Sequence, residues 1–433
     1  MNVLPDCLGV CDMREMKDSG APWIGMIPQT WSVDKFKVHL RRNEPRNPGH
    51  QVVLSLYREL GVIPKDSRDD NHNVTSEDTS KYKYVRPGDF VINKMKAWQG
   101  SVAVSDYEGI VSPAYYIYNF TDDVFEKRYF HYLLRGCYKH EFMRMSGGIR
   151  VGQWDLPAEA LEGTRVLIPP KTEQSAIAAF LDEKCAEIEQ IVSDCQYEID
   201  TLEEYRNSII SDAVTHGLDS SVQMKESGTP WCPHIPKHWQ TTNPKALFFL
   251  RNQRAFPGER QLTASQRHGI MYQDEFMELE NQQVVTVEKD FSILKHVEPN
   301  DFVISMRSFQ GGLEYSEVSG CISSAYVMLI PNMNKVYPPF WKWFFKSSKY
   351  INAIQSTTNL VRDGQAMRYA NFVMVPLFII PMDEQRLIAE YLNDKVSQID
   401  AILADKRAQL ATLEEYKKSL IFEYVTGKKE VPA

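Results

Sequence analysis

The chain has 433 residues, 43 % of them hydrophobic and 24 % charged, which excludes a disordered protein and leaves room for two or three domains with their own cores. Seven cysteines, an odd number scattered without a regular framework, exclude a disulfide scaffold and fit a reducing compartment. The net charge of −8 argues at first sight against a nucleic-acid partner.

In chain order, "MNVLPDCLGVCD" is acidic and broken by proline, without the basic start and apolar core of a secretory signal. Residues 1–168 read as a mixed α/β domain. Its strand candidates are "QVVLSLY", "DFVINKM", "SVAVS" and "AYYIYNF", and a helix is predicted from Glu126 to Met145. The proline-rich "LIPP" ends this domain, and a long helix occupies residues 169–219. Residues 220–379 form a second α/β domain, with strands at "DFVISMR" and "AYVMLI" and a helix from Pro338 to Ile354. "IIPM" then starts a second long helix within residues 380–433. The longest apolar run, "FVMVPLFIIP", falls well short of the roughly 20 residues that span a bilayer. The expected location is the cytoplasm, with no membrane partner.

The chain is one unit of about 210 residues written twice. "TLEEYRNSII" at Thr201 returns as "TLEEYKKSLI" at Thr412, an offset of 211. "PPKTEQSAIAAFLDEKCAEIEQI" at Pro169 aligns without a gap on "IPMDEQRLIAEYLNDKVSQIDAI" at Ile380. "MKDSGAPWIGMIPQTW" at Met16 answers "MKESGTPWCPHIPKHW" at Met224, and "MKAWQG" at Met95 answers "MRSFQG" at Met306. Between these anchors the copies have diverged almost completely. A duplicated scaffold with two unlike payloads is the simplest reading.

The long helices carry a seven-residue apolar period: Leu181, Ile188, Cys195, Leu202 and Ile209 in the first, Leu392, Ile399, Leu413 and Leu420 in the second. Ile177, Ile191 and Tyr205, with Ile388, Ile402 and Tyr416, are expected at a second seam position. Such stripes predict coiled-coil pairing within the chain. Connectivity makes the pair antiparallel, over about 60 Å for forty residues at roughly 1.5 Å each. The acid is concentrated here. Glu173 to Asp212 sums to −9 and Asp383 to Glu423 to −3, leaving +4 elsewhere, so the remaining domains are mildly basic.

No phosphate loop, nucleophile elbow or zinc-protease pair occurs in the sequence. Cys7 with Cys11, and Cys232 with His234, lack a second ligand pair at zinc-finger spacing and are read as ordinary thiols; no metal or cofactor is expected. What recurs is chemistry suited to nucleic acid: a basic residue, an aromatic and a Gln beside a glycine can contact phosphate, stack and read adenine edges. The DNA-binding candidates of the first copy are Lys94, Lys96, Trp98, Gln99, Arg144, Arg150 and Gln153. Those of the second are Arg307, Phe309, Gln310, Arg362, Gln365 and Arg368.

Together the duplicated "P-x-x-EQ … LEEY" helices, the paired "IP-x-x-W" openings and the "D-F-V-I … S-x-AY" segments resemble the specificity subunit of type I restriction-modification enzymes, over the whole chain. The resemblance implies two target-recognition domains held apart by an antiparallel coiled coil, each reading one half of an asymmetric split site in double-stranded DNA. It further implies two methyltransferase (M) subunits docked on the helices and domains, methylating adenine N6, and motor-nuclease (R) subunits in the full complex. None of that chemistry would reside in this chain. Two rivals are a coiled-coil adaptor without DNA affinity and a fused methyltransferase or nuclease. The latter needs an Asn/Asp-Pro-Pro-aromatic tetrapeptide, and none occurs.

Overall fold

The computed structural model describes residues 14–49, 52–57, 60–67, 75, 78–148, 154–284, 293–305, 308–357 and 367–432, apart from the side chain of Phe309. The chain forms two compact units, Met1–Asp194 with Gln409–Ala433, and Cys195–Ala408. Each is a mixed α/β body. No helix among the described residues is long and apolar enough to cross a membrane.

The duplication extends to every sheet. In the first unit a four-stranded antiparallel sheet runs in the order Leu40–Arg42, Tyr115–Phe120, Phe90–Asn93, Val102–Val104. In the second the order is Phe248–Arg251, Val327–Pro331, Phe302–Ile304, Glu314–Tyr315. Four two-stranded pairings are likewise matched, among them the hairpins Met16–Asp18/Met26–Pro28 and Met224–Glu226/His234–Pro236. Both predicted single helices are in fact two. Lys127–Cys137 and Lys139–Met145 meet at Tyr138, a buried ring whose hydroxyl donates to the Arg165 carbonyl at 2.8 Å. Pro338–Lys346 and Ser348–Ser356 meet at Ser347, whose side chain caps the second by accepting from the Tyr350 amide at 3.4 Å. In the second copy the Ser347 hydroxyl thus satisfies an amide that the bend frees, while in the first Tyr138 ties the junction to the strand Arg165–Ile168.

The repeated anchors hold one another. Each hairpin ends in a buried tryptophan, Trp31 or Trp239. Its indole N–H donates at 2.9 Å to the first residue of an "EQ" pair at the start of a long helix, Glu173 or Glu384. The Gln of the pair is wholly buried and serves the loop before the preceding helix. Gln174 accepts from the Glu126 amide and donates to the Val124 and Pro169 carbonyls. Gln385 accepts from the Tyr337 amide and the Trp341 indole, and donates to the Lys335 and Ile380 carbonyls. A buried amide with every partner in place is stabilising, whereas a truncated one strands all of them.

The long helices, Lys171–His216 and Met382–Val425, each contribute to both units. The end of the second closes on the first unit's hairpin. A Cβ on Gly427 would lie 2.5 Å from Pro28 Cδ and 2.9 Å from the Trp31 ring, at φ +69. Gly427→Ala therefore combines a backbone strain with a clash and should cost about 2–3 kcal/mol, read as a lower urea midpoint.

In each unit the helical segments pair antiparallel. The first shows Lys417 on Glu189 at 2.6 Å and the Phe180 ring packed at a tilt on Tyr424, with centroids 4.5 Å apart. The second shows Arg206 on Asp400 at 2.7 Å and Arg407 on Glu203 at 2.5 Å. Leu181, Ile188, Cys195, Leu392, Ile399 and Leu420 are buried, and Leu202, Ile209 and Leu413 half-buried. The second seam position differs from expectation. Ile191, Tyr205, Ile402 and Tyr416 are 47–57 % exposed. The seam instead takes the residue four after each first position: Cys185, Val192, Ile199 and Arg206 on one helix, Val396, Leu403, Leu410 and Lys417 on the other. The choice between three and four residues onward decides which side of the helix faces its partner, and apolar residues occupy both. Only Ile177 and Ile388, next to the globular cores, are buried at the expected place.

Candidate nucleic-acid interface

In the first unit, strand Phe90–Asn93 delivers the chain to Lys94 and a single 3-10 turn, Ala97–Gln99, closed by Gly100 at φ 89. The Trp98 indole donates to the Met95 carbonyl at 3.1 Å, fixing the ring against Trp154 with centroids 5.5 Å apart. The Leu156 amide donates to the Lys94 carbonyl, and the Lys94 ammonium meets Asp155 at 2.9 Å, which raises its pKa. Helix Lys139–Met145 packs on the same turn. The two sequence clusters "NKMKAWQG" and "MRMSGGIRVGQW" are thereby brought together. Arg144 is exposed, but its guanidinium forks onto Glu141 at 2.6 and 2.7 Å. Lys96 is exposed and has no ionic partner among the described residues. Gln99 is half-buried; Arg150 and Gln153 lie outside the described residues.

Beside this cluster stands a group that sequence reading missed. The Tyr116 ring has the Arg42 guanidinium 4.5 Å from its centroid, Lys83 at 5.7 Å and Lys94 at 6.0 Å. Glu44 holds Arg42 at 2.8 Å and Lys83 at 2.9 Å. Burial alone would push its carboxyl up, yet the hydrogen bonds from both cations carry it below the usual range. The "LRRNE" run from Leu40 and the aromatic "AYYIYNF" run were the available signals. Joining them needs the pairing of Arg42 with Tyr118 across two strands far apart in sequence.

The second unit presents a different surface on the same frame. Strand Phe302–Ile304 leads to a short helix, Ser308–Gly311, which carries Phe309 and an exposed Gln310. Lys346 donates to the Gly311 carbonyl at 2.9 Å and meets Glu314 at 2.6 Å, tying the helix down. Arg368 is exposed, and its amide donates to Asn371 at the start of helix Tyr369–Met374. Arg307, Arg362 and Gln365 lie outside the described residues. Where the edge strand of the first unit shows Arg41 and Arg42, that of the second shows exposed Phe249 and Leu250. The Cys232 thiol donates to the His234 carbonyl at 3.5 Å.

A groove in the first unit is lined by Gly61, Lys127, Arg128, His131, Tyr132 and Asp182. Its charges are spent internally: Asp182 takes Arg128 at 2.6 Å and the Tyr132 hydroxyl at 2.8 Å. Burial, reinforced by the neighbouring Arg135, lowers the His131 imidazole to about 4. Neutral His131 thus contributes stability fully above about pH 6.5, and that contribution is lost as pH falls towards 4. His131→Phe should flatten this limb of the stability–pH curve by about 2 kcal/mol.

Two unlike faces on one duplicated α/β frame, sharing a pair of long helices, define a class of chain built to present two different surfaces at once. No family model matches the chain. The putative type I restriction enzyme MjaX specificity subunit of Methanocaldococcus jannaschii is 21 % identical, over 94 % of this chain and 95 % of the relative. A chain solved in work on complex assembly and conformational transition of the type I R-M system superimposes with TM-score 0.69 at 13 % identity, covering 93 % of this chain and 99 % of that one. The HsdS subunit from Thermoanaerobacter tengcongensis gives TM-score 0.50 at 15 % identity, with 93 % and 98 % covered. The chain therefore has the fold of a type I specificity subunit and resembles that family along its whole length.

Proposed function

We propose that this chain is the non-catalytic DNA-specificity subunit of a type I restriction-modification complex. Residues 1–168 and 220–379 are its target-recognition domains, and 169–219 and 380–433 its spacer helices. One observation carries the reading: the frame is repeated sheet for sheet, while the faces mounted on it differ. A frame duplicated for stability alone has no reason to exchange Arg41 and Arg42 for Phe249 and Leu250. Two unlike readers specify an asymmetric split site, whereas identical ones would specify a palindrome.

In the first domain Lys96 contacts phosphate, Trp98 and Gln99 lie against the duplex, and Arg42 over Tyr116 extends the basic face. In the second, Arg307, Phe309, Gln310 and Arg368 take those places. The acidic helices are poorly suited to lie on phosphate and bind protein instead: two methyltransferase subunits, with motor-nuclease subunits completing the complex. Adenine N6 is reached only in a flipped base, in a pocket that belongs to the methyltransferase. The assembly works on cytoplasmic DNA.

Lys96→Ala should weaken binding of the assembled complex to all duplexes alike and reduce its salt dependence by about one ion, as measured by fluorescence anisotropy at several salt concentrations. The reading as a whole is tested by exchanging residues 1–168 for the corresponding domain of another type I subunit. One half of the methylated sequence should change. A change in both halves contradicts the assignment, and a complex that methylates without regard to sequence supports the adaptor instead.

A further inference from the structure

On the matched four-stranded sheets the two edge strands differ by a set of residues that changed together. Tyr118 pairs with Phe90, and Leu329 pairs with Phe302. Arg42 lies opposite Tyr118 and Leu250 opposite Leu329, so Leu250 stands in the second copy where Arg42 stands in the first. By the same register Asn252 answers to Glu44, and Val327 to Tyr116.

The backbone frame around these positions is kept. Lys83 donates to the Tyr115 carbonyl at 2.5 Å, and its counterpart Lys295 donates to the Tyr326 carbonyl at 2.6 Å. Arg46 forms an isolated bridge with Lys83, as Arg254 does with Lys295. The second copy builds this frame with Leu250, Asn252 and Val327 in place. The fold therefore does not call for the arginine, the acid and the aromatic ring.

In the first copy Glu44 holds a guanidinium. Its carboxylate takes Arg42 Nε at 2.8 Å and Nη2 at 3.0 Å, and Lys83 pins it at 2.9 Å. The Tyr116 ring lies against the guanidinium, 4.5 Å from centroid to carbon. These contacts occupy the side edge of the fork. Its end edge, Nη1 and the second hydrogen of Nη2, has no acceptor among the described residues, and Arg42 is exposed. An ion pair this open to water adds little to stability, so its effect is to fix the plane and direction of two parallel N–H donors.

A carboxylate on one edge of the guanidinium repels a phosphate approaching the other, but not a neutral base. In the major groove guanine presents two acceptors, O6 and N7, whereas adenine sets an amino donor beside its N7. We infer that Arg42 is a specificity-determining residue that reads one guanine in the half-site of the first domain, with Glu44 as its positioning residue. Leu250 has no donor and leaves the second domain without that requirement. This inference rests on the function proposed above, and it names a base the first half-site contains.

The test uses the full chain assembled with its methyltransferase subunits, and the half-site that the exchange of residues 1–168 assigns to the first domain. Each guanine there is replaced in turn by 7-deazaguanine, which lacks the N7 acceptor, or by inosine, which keeps O6 and N7. At one position 7-deazaguanine should weaken binding about ten-fold, and inosine should leave it unchanged. Arg42→Lys keeps the charge and loses the fork. Its complex should bind native and 7-deazaguanine duplexes alike and methylate sequences with any base at that position, while the other half stays as specified. Glu44→Gln should relax the same position and no other. Should either variant lose its fold, the base replacements with the native chain still decide. A first half without guanine, no guanine sensitive to loss of N7, or an Arg42→Lys complex that keeps the requirement overturns the inference while leaving the specificity function standing. A wild-type complex that methylates without regard to sequence defeats the function itself, and the inference with it.

Discussion

Replacing Gln385 with leucine should destabilise the second unit by about 5 kcal/mol, a loss comparable with the whole stability of many domains. The side chain is fully buried and makes four hydrogen bonds of 2.8–3.0 Å, to the Tyr337 amide, the Trp341 indole and the Lys335 and Ile380 carbonyls. Leucine matches its bulk and supplies none of these bonds. Two donors and two acceptors are then left in the core, each costing about 1–3 kcal/mol, partly relieved by local rearrangement. Hydrogen exchange should show the loss first over residues 335–346, where three of the four stranded groups lie. Gln174→Leu should produce the same effect in the first unit, around Val124 and Glu126.

The second large effect separates the seam from the flank. Leu392 is fully buried in the core of the second unit, so Leu392→Asp loses its apolar burial and places an unpaired charge there. The expected cost is about 4–5 kcal/mol, enough to abolish a stable fold in many proteins. Ile402→Asp, ten residues further along the same helix, should change stability by only about 0.5 kcal/mol, because its side chain already meets water. Urea unfolding of the two variants side by side makes the comparison. Equal effects would mean that Ile402 faces the partner helix after all.

These contrasts mark how far the sequence could be read. The duplication, the α/β character of each copy and the first seam position follow from residue order alone, because a repeat and a heptad are one-dimensional signals. The second seam position is ambiguous in sequence because Ile191 and Val192, or Tyr205 and Arg206, differ by one step along the chain. The apolar member of the second pair is the one left in water. The tie between the "IP-x-x-W" and "EQ" anchors was invisible as well. Trp31 and Glu173 are 142 residues apart, and neither pattern announces that it satisfies the other. The candidate interface was half legible. Lys94, Lys96 and Trp98 stood out as a local motif, whereas Arg42 and Tyr116 meet only through strand pairing. The pairing of Lys94 with Asp155 and of Arg144 with Glu141 further separates cations already engaged from Lys96, which has no ionic partner among the described residues.

The central claim is that two different readers ride on one repeated frame. Its most direct test is single-molecule sequencing of DNA methylated by the assembled complex. The expected result is N6-methyladenine in a sequence of two unlike specified halves separated by an unspecified gap of constant length. Methylation at a palindrome, or at adenines without a common flanking sequence, would contradict it.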